Sequence, residues 1–220
     1  RGKYIDGRFA ASFHPDTRES YITEGTPRQY TFYVPQDIKG LSALMGGTAA
    51  FEKSLDSLFD QGEYWHGNEP GHQIPFLYNY TASPWKTQRE VKKILEEEYS
   101  DGPGGLSGND DAGQMSAWYV FAAMGFYPVN PASGQYLLSA PLFDKVKLTT
   151  TGKSINIVTK RSTETAAYIS VVKWNGKDYT KNYITWKMIR AGGVLEIYLT
   201  DTPGNRDAGP SARPSSLSDN

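Results

Sequence analysis

The sequence predicts an α + β protein in two parts, and three observations carry that prediction. Up to about Asn130, apolar residues recur at spacings of three and four, the period of a helix with one buried face. Beyond Asn130 the period moves toward two, and β-branched and aromatic residues dominate, as in half-buried strands. Between the first runs lie long stretches rich in glycine and proline, which punctuate rather than extend regular structure. The expected division is a helical region over 1–130, an antiparallel β region over 131–202 and a flexible tail over 203–220.

In TAAFEKSLDSLFDQG, residues Phe51, Leu55, Leu58 and Phe59 define one helical face, with Thr48 placed as the N-cap. Val91, Ile94 and Leu95 do the same in TQREVKKILEEEY, leaving Glu96, Glu97 and Glu98 as a solvated helix end. A third helix runs through Met115, Ala117, Trp118, Val120, Phe121 and Met124, and Gly125 stands where it should end. About four to five helices are expected in all. The strands fall in KVKLTTT, SINIVTK, AYISVVKWNGKDY and YITWKMIRAGGVLEIYLT, with Asn175-Gly176 and Gly192-Gly193 as hairpin turns. So few helices, in a chain that opens in loop-like sequence, point to a fragment of a larger protein.

Composition narrows the function. The 23 Lys and Arg nearly balance the 24 Asp and Glu, a net charge of −1, so no chain-wide field gathers nucleic acid or an anionic membrane, and neither is an expected partner. No stretch approaches the ~20 apolar residues of a membrane span, and the first residues carry no signal-peptide core. Cysteine is absent, which excludes disulfides, thiolate catalysis and thiolate-bound zinc. Asn79-Tyr80-Thr81 matches a glycosylation sequon. Aromatic residues make up 13% of the chain, and many lie beside Gly, Pro, Asn, Gln or His, where ring faces and amides together suit a pyranose.

Three acidic clusters sit in loops: Glu24 in SYITEGTPRQYTFYVPQD, Glu69 in YWHGNEPGHQIPFLYNY, and Asp110-Asp111 in GGLSGNDDAGQMSAW. Asp111, with Gln114 three residues on, reads as a capping box, which one acid satisfies; Asp110 is then surplus, because adjacent carboxylates raise each other's cost of ionisation. His66, Asn68, Glu69, His72 and Gln73 crowd one turn, offering oxygen donors to a hard cation and polar groups to hydroxyls, although Pro70 also suits a plain helix start. The His spacing argues against zinc. Paired carboxylates are what glycoside hydrolysis needs, one to protonate the leaving oxygen and one to activate water or attack carbon. The residues by themselves also fit a calcium-independent glycosidase or a non-catalytic carbohydrate-binding remnant.

GNEPGHQIPFLYNY, GGLSGNDDAGQMSAWYVFAAMGFYPV and YITEG…QYTFYVPQD resemble the family 92 glycoside hydrolases, the calcium-dependent exo-acting α-mannosidases, continuously from about Tyr4 to Leu148. The resemblance implies the C-terminal part of an (α/α)6 barrel followed by the β region, with an upstream polypeptide supplying a β-sandwich and the remaining barrel helices. It implies inverting hydrolysis of a mannose-containing oligosaccharide or glycan, with terminal α-1,2-linked mannose as the expected substrate. By position, Glu24 becomes the general acid and Asp111 the base, with Asp110 assisting. Ca2+ falls on Asn68, Glu69 and Asp111, and Trp65, His66 and Asn109 are the expected sugar contacts. Such an enzyme is expected to be secreted, periplasmic or at the cell surface. Two departures stand out: Thr26-Pro27-Arg28 follows Glu24-Gly25 where the family usually has Asn-Ala-Trp, and Asn109 occupies a position that is Asp in some members.

Overall fold

The three helical periods of the first part fold as helices, joined by two shorter ones, in the structure, a computed structural model that describes residues 2–204, 206 and 209–219. They are α1 (Pro27–Thr31), α2 (Ile38–Leu44), α3 (Thr48–Asp60), α4 (Trp85–Glu97) and α5 (Gln114–Met124). Helix α3 buries Phe51, Leu55 and Leu58, and α4 buries Val91 and Ile94. Glu96 and Glu97 remain exposed beside Lys92 and Lys93, while Glu98 is the half-buried C-cap of α4. Thr48 is not a cap: Gly47, at φ +100°, precedes the helix with no side-chain bond, and Thr48 is its first residue. The Gly46-Gly47 pair turns the chain through left-handed backbone between α2 and α3, a conformation open chiefly to glycine.

Helix α5 is apolar nearly all round because it lies between two cores. Trp118 and Ala122 join Phe32, Phe51, Leu55, Phe76 and Val91 in the helical core. Phe121 and Met124 turn to the other core, built on Ile155, Ile157, Leu195 and Ile197. Gly125, at φ +92°, ends the helix as expected. Among the elements that escaped the periodic reading is a 3₁₀ stretch at Ile74–Tyr80, every residue of which is buried. Its Asn79 is 2% exposed, with Nδ2 facing the carbonyls of Phe76 and Leu138 at 3.1 Å. In the folded chain the sequon is sealed.

The second part has strands β1 (Phe126–Tyr127), β2 (Gln135–Leu138), β3 (Lys145–Thr150), β4 (Lys153–Arg161), β5 (Tyr168–Trp174), β6 (Lys177–Asp178), β7 (Tyr183–Thr185) and β8 (Gly193–Thr200). They form a three-stranded sheet in the order β1-β2-β7 and a five-stranded sheet in the order β3-β4-β8-β5-β6. Asn175 and Gly176, at φ +49° and +79°, make the expected two-residue turn between β5 and β6.

Two expectations are corrected here. The Gly192-Gly193 pair is no hairpin, because YITWKMIRAGG holds a helix, α6 (Trp186–Ala191), capped by Thr185 Oγ1 accepting from Met188 N at 3.3 Å and closed by Gly192. The five-stranded sheet is also not wholly antiparallel: β8 runs parallel to β4, from Ile155 opposite Gly193 to Arg161 opposite Leu199. A parallel neighbour needs a long crossover, and the chain from β5 through α6 supplies it.

The flexible tail is corrected as well for residues 209–219; residues 205, 207, 208 and 220 lie outside the described residues. Ala212, Pro214 and Ser216 are buried, Leu217 N donates to Gln36 O at 3.0 Å, and Asn182 N to Ala212 O at 2.9 Å. Almost free of apolar side chains, the segment is held through hydrogen bonds and prolines.

Candidate active site

The turns around GNEPGH and GNDDAG are pressed together backbone against backbone. A Cβ on Gly108 would stand 2.3 Å from the Gly67 carbonyl oxygen, and one on Gly67 would stand 2.6 Å from that of Ser107. Neither residue can carry a side chain at that approach. Contact of the two loops carries Glu69 to Asp111.

Glu24 arrives from a third loop. Asn68 Nδ2 donates to Glu24 Oε2 at 3.2 Å. The loop is anchored by the residues that depart from the family pattern: Thr26 caps α1 in a capping box with Gln29, Pro27 is its buried first residue, and Gln29 Nε2 donates to Glu63 O at 2.7 Å. Arg28 pairs with Asp16 and with Glu63. This stretch anchors the loop that carries Glu24.

The Asp pair divides its roles differently from the sequence expectation. Gly113 is the N-cap residue of α5, and Asp110, not Asp111, reaches over it to the first turn: its Oδ1 accepts from Ser116 N and Ser116 Oγ, both at 2.9 Å. Gln114 is not a capping-box partner, since its Nε2 approaches His72 Nδ1 at 3.2 Å and Tyr127 OH at 3.1 Å. Asp111 is exposed and left-handed at φ +45°, followed by Ala112 at +57° and Gly113 at +94°. Consecutive left-handed residues other than glycine are costly and persist where the surroundings impose them.

His66 is corrected as a sugar contact. It is fully buried, with Nδ1 2.8 Å from Tyr64 OH and Nε2 2.7 Å from Tyr99 OH. Because Tyr99 OH donates to Met115 O, the His66 proton sits on Nε2 and Tyr64 donates to Nδ1. Burial, followed by the neighbouring His72, lowers its pKa to about 3. His72 Nε2 in turn donates to His66 O at 2.9 Å, and Trp118 Nε1 donates to His72 O at 2.8 Å. These rings form the floor under the NEP turn. Trp65 differs: it is 43% exposed, and its ring nitrogen borders Gly67. Asn109 is exposed beside Gly108.

Glu69 is half-buried, and burial raises its pKa, with the carboxylates of Asp111 and Glu24 adding to the rise. Asn68 Oδ1 and Glu69 Oε1 are buried without a hydrogen-bond partner. Such orphaned acceptors call for a donor or a cation. Among the described residues no three His, Cys, Asp or Glu form a metal cluster. The available donors are an amide oxygen and carboxylates, a mixed hard-oxygen set suited to a divalent cation of the calcium kind. Glu69 also lines a cleft of about 440 Å³ with Tyr33, Gln73, Gln114 and Tyr127, residues the sequence reading had not assigned to a site apart from Gln73. Their separation along the chain, from Tyr33 to Tyr127, left no local pattern to find.

The chain is similar to known glycoside hydrolases. Residues 1–201 match the model of the glycosyl hydrolase family 92 catalytic domain. An uncharacterized secreted glycosidase of Arthroderma benhamiae is 34% identical over 209 residues, 92% of this chain and 26% of that protein. A family GH92 α-mannosidase of Bacteroides thetaiotaomicron superposes with a TM-score of 0.92 at 39% identity, covering 99% of this chain and 30% of that one. The structure of a family GH92 inverting mannosidase from the same organism superposes with a TM-score of 0.90 at 33% identity, over 97% of this chain and 32% of that one. The chain thus spans about a quarter to a third of the length of these relatives, and it belongs to glycosyl hydrolase family 92.

Proposed function

We propose that the chain forms the acid–base centre of a calcium-assisted α-mannosidase that removes terminal α-1,2-linked mannose from a glycan with inversion at the anomeric carbon. The observation that carries this reading is the convergence of Glu24, Asn68, Glu69 and Asp111 from three loops, with two buried oxygens left unpartnered. It is supported by family membership and by the resemblance to a GH92 α-mannosidase structure solved with mannoimidazole, 36% identical.

In this scheme Glu24 protonates the leaving oxygen while the Asn68 amide steadies its other oxygen. Asp111 accepts a proton from the attacking water on the opposite face of the sugar. Trp65 offers a ring face to the pyranose, and Asn109 a hydrogen-bonding group to its hydroxyls. Calcium held by Asn68, Glu69 and Asp111 supplies, when bound, a Lewis acid for adjacent sugar hydroxyls. An upstream polypeptide completes the barrel and adds the β-sandwich, in keeping with the share of its relatives that the chain covers. Secretion, or a periplasmic or cell-surface location, agrees with the description of the A. benhamiae relative as secreted.

The test is mannose release from α-linked mannobiose by the protein at its full encoded length. Glu24→Gln and Asp111→Asn should each lower turnover roughly 10²–10⁴-fold, the usual contribution of a general acid or base. Chelation should abolish activity and added calcium restore it. Losses within about tenfold in both variants, or full activity in chelator, would refute the assignment. NMR of the first-released anomer reads the stereochemistry.

A further inference from the structure

We propose that Asp110 is a positioning residue for Asp111: its carboxylate works as a hydrogen-bond acceptor that locks the left-handed turn holding Asp111 at the mouth of the site, and its charge is dispensable. The inference rests on the reading of Asp111 as base and corrects the expectation that Asp110 shares in the chemistry.

Three observations meet here. The Asp110 Oδ1 atom is spent on α5, accepting from both Ser116 N and Ser116 Oγ at 2.9 Å. The backbone carbonyls on either side of the turn are engaged as well, Asp110 O with Met115 N and Asp111 O with Gln114 N, each at 3.3 Å. Between these anchors Asp111 and Ala112 take φ of +45° and +57°, and then Gly113 takes +94°. Two adjacent non-glycine residues do not stay left-handed unaided, and a side-chain acceptor that spans them, from Asp110 before the turn to Ser116 in the first turn of α5, holds them there. From the other side the Gly67–Gly108 contact clamps the turn. Asp111 is therefore fixed against Glu69 by two restraints, one of which is the Asp110 side chain.

A positioning role separates from a catalytic one by what asparagine can replace. Its side-chain oxygen accepts the same two hydrogen bonds without the charge. In the full-length protein, Asp110→Asn should lower kcat less than about fivefold. Asp110→Ala should lower it at least about thirtyfold with KM changed less than threefold, because a displaced base costs rate more than binding. Ser116→Ala, which keeps the backbone donor, should fall between them. Circular dichroism melts of each variant confirm that α5 and the fold persist at the assay temperature.

Equal losses for Asn and Ala would overturn the proposal in favour of a charged catalytic role. A loss under threefold for Ala would overturn it in favour of a cap without influence on Asp111. If Asp111→Asn itself proved harmless, the base assignment would fall instead, and that outcome is read independently of any change at Asp110.

Discussion

At the scale of single residues, the site depends on two glycines as well as on its acids. Gly67 and Gly108 were visible in the sequence only as members of two loops, yet their mutual approach is what joins those loops. A Cβ at Gly108 would meet three backbone atoms of Gly67, from 2.3 to 2.8 Å away, and backbone cannot rotate aside as a flexible side chain can. Gly108→Ala is expected to cost about 1–3 kcal/mol, the usual range for overpacking, and to lower activity beyond its effect on stability by parting Glu69 from Asp111. Urea unfolding beside mannose release checks both; a neutral Gly108→Ala would show that the loops can part without loss. The acids themselves were legible, since Glu24, Glu69 and Asp111 stand in aromatic- and glycine-rich loops where solvated acids are rare. What their spacing could not reveal was which of Asp110 and Asp111 caps the helix. A three-residue left-handed turn makes Gly113 the N-cap residue and leaves the side chain of Asp110, not that of Asp111, to accept from Ser116 N.

At the scale of elements, the period-based reading found α3, α4 and most strands because each buries one face and so carries a periodic signal, whereas α5, apolar nearly all round, was found by its continuous apolar run ending at Gly125. It missed α6, whose six residues bury only Ile189 and therefore carry no stripe. The Ile74–Tyr80 stretch was missed for the opposite reason: with every side chain buried there is no polar face to set a period. The tail misled because its order depends on polar contacts at a distance. Asp37 caps α2 at Gly40 N, 3.0 Å away, and also accepts from Ser218 Oγ at 2.7 Å and Ser218 N at 3.2 Å. These bonds, the Ser218 hydroxyl foremost, hold its pKa below the ordinary aspartate value. Asp37→Ala should therefore cost about 1 kcal/mol for the cap and release the last residues to protease. Equal proteolysis of the tail in variant and parent would disprove the tether.

At the scale of the whole molecule, stability should fall on mild acidification. His66 has a pKa near 3 in the folded chain against about 6.5 when unfolded, and burial lowers that of His72 too. Below pH 6.5 the unfolded chain takes up protons that the folded one refuses, so the stabilisation present above 6.5 drains away as pH falls toward 3. The His66 share amounts to roughly 1.4 kcal/mol per pH unit. Between pH 6.5 and 5 most carboxylates are still ionised; Glu69, raised in the fold, acts with the opposite sign and is removed by working in Glu69→Gln. Urea midpoints that stay level over that interval would contradict the buried neutral histidines.

The sequence by itself determined the α + β division, the principal helices and the three acidic loops, with a family resemblance that the comparisons bear out. These features are local, written in burial periods and loop composition. Only the tertiary structure decided that β8 lies parallel to β4, that residues 209–219 are docked, that His66 is buried, and that Glu24 and Asp111 come near Glu69. Each of those outcomes rests on contacts between residues distant in the chain, where a missing Cβ or one buried hydrogen bond sets the geometry and leaves no periodic trace in the order of the amino acids.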